Sequence, residues 1–140
     1  MRAMFETIGE PPPRLVAGLD DDDARLLWAL RRLALMAPLG WARCRTVHIV
    51  LSRDFGEAGM GIEHLLRCLL VGLARLSDRP VVLGTPTCAV VTGDEEALLS
   101  VLARPDRAAV TLMALAGPAA SQLQPLCEAI QTIIDGRHAY

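Results

Sequence analysis

Within residues 44–68, CRTVHIVLSRDFGEAGMGIEHLLRC, two cysteines and two histidines stand in mirrored order. Cys44 and His48 are four apart, and His64 and Cys68 repeat the spacing in reverse. Thiolate and imidazole are the ligands of structural zinc, and two of each complete a tetrahedral set with no position left for catalysis. If the segments on either side of residue 56 form an antiparallel helical hairpin, Cys44 faces Cys68 and His48 faces His64. Axes about 8–10 Å apart would then let the four side chains converge. The helical angles oppose this. At about 100° per residue, His64 falls about 170° from the centre of the neighbouring leucine stripe, and Cys68 about 130°. Packing those leucines inward turns His64 away from His48. We therefore expect no metal here and no cofactor elsewhere, with Cys44 a small core residue, His48 half-buried and hydrogen-bonded to backbone, and His64 exposed.

The remaining residues with chemical capacity are more scattered. Cys88 lies in a proline-bounded segment, RPVVLGTPTCAVV, where oxidants could reach a thiol outside any helix. Asp94, Glu95 and Glu96 could serve as paired carboxylates, yet a helix's first turn attracts acids for electrostatic reasons alone. Gly56, Gly59 and Gly61 lack the Lys-Ser/Thr of a phosphate loop, and the chain carries no Gly-x-Ser-x-Gly, His-Glu-x-x-His or Cys-x-x-Cys pattern. The absence of these motifs lowers the case for an enzyme without excluding one, and an enzyme ranks third among the readings.

The elements that must position these residues read as helices. Asp20–Asp23 opens the first, whose spacing of Leu26, Leu30, Leu33 and Ala37 makes one apolar stripe. Trp28 and Leu35 make a second, nearly opposite, among Arg25, Arg31 and Arg32. A helix striped on both sides meets either a second layer or a second subunit, so Trp28 and Leu35 are candidate interface residues. A second helix is expected over about 41–53, seamed by Trp41, Cys44, His48, Leu51 and Phe55. The β-branched residues of TVHIVL also suit a strand, but the longer helical period decides for helix.

A third helix spans about 60–77, striped from Ile62 to Leu76, with Glu63 able to pair with Arg67. Pro80 and Pro86 enforce an extended break over 79–92. Thr92-Gly-Asp-Glu95 is a capping box that starts a fourth helix at 93. A further helix should begin at Asp106, and a last one should cover 119–134 and end at Gly136. The prediction is an all-α, compact bundle of five or six helices: residues 1–19 a flexible or extended lead, residues 20–140 one helical domain. Its expected core is Leu30, Leu33, Leu51, Leu65, Leu66, Leu69, Leu73, Leu99 and Leu102.

Residues 79–99 resemble a group of small, uncharacterised helical bacterial proteins. In these a proline-flanked segment carries a cysteine and then a Thr-x-Asp-Glu helix start; the positions here are Pro86, Cys88, Thr92, Asp94 and Glu95. The resemblance implies a helical fold and assigns no chemistry.

Composition narrows the function further. The 140 residues are 52% apolar, 4% aromatic and 21% charged, with a net charge of −2. That charge gives no argument for a polyanion partner, so neither nucleic acid nor an acidic bilayer is expected. All the basic residues are Arg, and both Lys and Asn are absent. GC-rich coding accounts for that pattern, so the abundance of Arg is not itself a recognition signal. The N-terminal stretch lacks the apolar core of a targeting peptide, and the uncharged run 108–127 is broken by Gly117, Pro118 and Pro125. A cytoplasmic protein with reduced thiols and no membrane span follows.

The mean hydropathy of +0.35 leaves apolar surface to be covered. The expectation is a non-catalytic, self-associating interaction module, most simply a homodimer. The alternative is a sensor of a small ligand, metal or oxidant that uses His48, Cys44 and Cys88.

Overall fold

The carboxylate of Asp20 accepts the backbone N–H of Asp23 at 2.8 Å, and the acids behind it face the positive end of the helix they start. This helix, α1 (Asp21–Ala34), is the first of six α-helices in a computed structural model that describes residues 14–104 and 109–138. The others are α2 (Arg45–Phe55), α3 (Ala58–Leu76), α4 (Gly93–Ala103), α5 (Ala109–Ala116) and α6 (Ala120–His138), with 3₁₀ turns at Val16–Gly18 and Gly117–Ala119. Among the described residues, β pairing is confined to one antiparallel bridge between Leu15 and Val90. The all-α expectation holds, and TVHIVL is helical. No described helix is long and apolar enough to cross a membrane.

The centre of the bundle is α3, which packs on α1, α2 and α6. Its stripe of Ile62, Leu66, Leu69, Leu70 and Leu73 is buried together with Leu27, Leu30 and Leu33 of α1, Val47, Leu51 and Phe55 of α2, and Leu98, Leu99 and Leu102 of α4. Each such side chain contributes about 1.5–3 kcal/mol when withdrawn from water. The turn between α2 and α3 is tight because Gly56 takes φ +65° and a Cβ on Gly59 would collide with the Leu51 carbonyl. On the other side α6 runs antiparallel to α3, with Gly72 against Leu123 and Gly61 against Ile133.

Several details differ from the sequence expectation. The second helix begins at Arg45, not 41, so Trp41 leaves the expected seam and stands 78% exposed in the preceding turn. Leu65 is only half-buried and Leu76 is exposed, at the flank and end of the stripe. The last helix passes through Gly136 to His138. There glycine costs about 1 kcal/mol of helix propensity without forcing an end. The expected start at Asp106 lies outside the described residues. So do residues 1–13, while residues 14–19 are docked: Val16 N–H donates to Ala89 O, Val91 N–H donates to Arg14 O, and Val16 and Leu19 pack on the core.

Candidate functional site

Cys44 is the N-cap residue of α2 and is 8% exposed. Burial disfavours its thiolate. The N–H groups of Val47 and Thr46 and the Arg32 guanidinium outweigh that, and the thiol sits below its ordinary pKa. Cys127, buried in α6 beside Glu128, is pushed the other way, to about 11. One turn after Cys44, His48 is half-buried, and its partner is a carboxylate where backbone was expected. Nδ1 stands 3.4 Å from Glu63 Oε1, and Arg43 Nη2 donates to the same oxygen at 3.0 Å. Glu63 is fully buried, and among the described residues its Oε2 has no hydrogen-bond partner. The expected Glu63–Arg67 pair is not formed: Arg67 donates instead to Gly40 O at 3.1 Å.

The hairpin is therefore turned by one residue from the register that would have joined the histidines, and Glu63 faces α2 in place of His64. His64 lies on the outer side of α3, with Nε2 at 3.7 Å from Cys68 Sγ. Among the described residues no three His, Cys, Asp or Glu side chains gather as a metal site.

Cys88 is half-buried, and its Sγ donates to Val90 O at 3.4 Å. Its carbonyl does more. Arg31, buried on α1, donates through Nη1 to Cys88 O at 2.7 Å and through Nη2 to Val90 O at 2.9 Å. The same guanidinium grips Glu95 in fork geometry, Nε to Oε2 at 2.7 Å and Nη2 to Oε1 at 2.8 Å. Glu95 also accepts Gly84 N–H at 2.8 Å and Thr92 N–H at 2.9 Å, while Thr92 Oγ1 completes the capping box by accepting Glu95 N–H. A Cβ on residue 84 would sit 2.8 Å from Arg31 Nη2, so the strand-like segment can approach only as glycine. Burial would raise the Glu95 carboxyl, but Arg31 and the two N–H groups hold it below the usual range. Asp94 is held low likewise, first by Arg79 at 2.8 and 3.0 Å and then by Val82 N–H. Cys88, Thr92, Asp94 and Glu95 are thus the fastening of the 79–92 segment.

Of the expected interface residues, Trp28 is half-buried between the guanidinium groups of Arg25 and Arg32, 5.6 and 5.4 Å from its ring centroid. Leu35 is 66% exposed. An apolar recess open to solvent lies elsewhere, between α3 and α6, a groove of about 540 Å³. Val71, Leu123 and Leu126 line it, Trp41 forms a wall, and His64, Arg67 and Arg75 supply ionisable nitrogens. Among the described residues no carboxylate lines it. Sequence reasoning placed Trp41 in the core and so missed this groove; the Arg67 and Arg75 flank of the third helix was its one visible signal.

No protein-family model matches the chain, and neither curated proteins nor solved structures give a match.

Proposed function

We propose that the protein is a non-catalytic helical interaction module that associates with itself, through the α3–α6 face. The observation that carries the reading is the groove: an apolar floor edged by cations, with Trp41 standing 78% and Leu76 44% exposed beside it. A large aromatic in the open at the edge of an apolar recess is the arrangement of an interface anchor. The net charge of −2 supports a protein partner over nucleic acid, and four unpaired cysteines suit a reducing cytoplasm. Native mass spectrometry over a concentration series tests the reading: oligomers that Trp41→Ser removes without loss of helicity support it, and monomer throughout refutes it.

Cys44 favours a second reading, a thiol that senses oxidants. Its position at the start of α2 beside Arg32 favours the thiolate. Alkylation near neutral pH should modify Cys44 well before Cys127; equal rates for the two would remove this reading.

A further inference from the structure

The basic groove has a counterpart on the same chain. Residues 20–23 are four consecutive aspartates at the tip of α1, with Asp20 and Asp21 exposed. Asp135 lies beside them across a recess floored by Leu26, Leu102 and Ile134, and no basic residue lines that recess among the described residues. Of the bases near this tip, Arg14 pairs with Glu96 at 2.7 Å, and Arg25 and Arg53 share Asp54 beside Asp21 and Asp22. Burial first, and then Asp20, raise the Asp23 carboxyl above its ordinary value.

The two surfaces sit at opposite ends of α6. The groove is at Gln122, Leu123 and Leu126, and the acidic recess at Gln131, Ile134 and Asp135. From Leu123 to Ile134 is roughly 16 Å of helix at 1.5 Å per residue. One copy cannot bring its own acidic tip into its own groove without unfolding α6, but the tip of a second copy is free to enter. The exposed carboxylates of Asp20 and Asp21 match a groove carrying His64, Arg67 and Arg75 in sign.

We propose that copies of this chain associate head to tail, the α1 acidic tip of one entering the α3–α6 groove of the next. This rests on the self-association reading above and specifies its geometry. Because the two contact surfaces differ, the contact is heterologous. Made once per neighbour and repeated in one direction it builds rings or open chains, whereas a two-fold dimer would have to seat both tips in both grooves at once. The contact is small and charged, which makes it concentration-dependent and weakened by salt.

The test uses two exposed-surface variants of the full chain. Trp41→Ser/Arg75→Glu blocks the groove and leaves the tip intact. Asp20→Asn/Asp21→Asn removes the two exposed tip charges and keeps an N-cap side chain at position 20, and circular dichroism verifies that both stay folded. Light scattering on the unaltered protein should show mass growing past a dimer as concentration rises, and falling as salt rises from about 50 to 500 mM. Each variant alone should associate at least about tenfold more weakly. An equimolar mixture should form a one-to-one dimer and nothing larger, since one intact tip meets one intact groove. A wild-type mass that stops at a dimer, with no recovery in the mixture, overturns the head-to-tail geometry and leaves self-association standing. Monomer under every condition overturns both.

Discussion

Two buried carboxylates in this bundle have been treated in opposite ways. Glu95 accepts four hydrogen bonds, two from Arg31 and one each from Gly84 and Thr92, and neither charge of the pair meets water. Glu63 is as deeply buried, yet it shares one oxygen between Arg43 and His48, which are 53% and 36% exposed, and leaves the other without a partner in the described chain. The first is a closed clasp that fastens the proline-bounded segment to α1. The second lies at the mouth of the α2–α3 hairpin, its partners half in solvent. Burial alone therefore does not make an ion pair structural. What matters is whether removing one member strands the other in the interior.

That distinction sets the order of expected effects. Glu95→Gln leaves the Arg31 charge buried and should destabilise the fold by about 3–5 kcal/mol in denaturant unfolding. A loss under about 1 kcal/mol would mean that Arg31 can escape to water, and the clasp would not be closed.

The pH dependence comes next. Glu95 and Asp94 are both held below their ordinary values in the folded chain, so their contribution is complete above the unfolded carboxylate range. It is lost as pH falls from about 4.3 through the folded values. Asp23, raised on folding, works in the opposite direction and recovers part of the loss. Stability should thus fall on acidification below about pH 4.3, and Glu95→Gln should flatten that limb; an unchanged acid limb in the variant would detach Glu95 from it. The smallest effect is expected at the other carboxylate. Glu63→Gln should change stability by about 1 kcal/mol or less, because Arg43 and His48 return to solvent and no charge is stranded. A loss as large as that of Glu95→Gln would erase the comparison.

The sequence made local features legible. The aspartate start of α1, the Thr92–Glu95 capping box and the α3 stripe all depend on residues within a few positions of one another, and all appear as read except Leu65 and Leu76 at the edge of the stripe. Long-range pairing was beyond such reading. Arg31 and Glu95 are 64 residues apart, and Glu95 has the same appearance in sequence whether it caps a helix in water or closes a buried ion pair. Glu63 was placed with Arg67 because i,i+4 spacing permits it. Which side of α3 turns toward α2 was decided instead by the tight Gly56–Gly59 turn. Trp41 was placed in the core by continuing a helical period four residues past the true start at Arg45. That single boundary hid the wall of the groove on which the functional reading rests.

Sedimentation velocity of the unaltered chain, at increasing concentration and low ionic strength, tests that reading most directly. Self-association through a charged apolar groove predicts a weight-average mass that rises above the 15.1 kDa of one chain and falls back when salt is added. A mass that stays at 15.1 kDa at every concentration and ionic strength would contradict it.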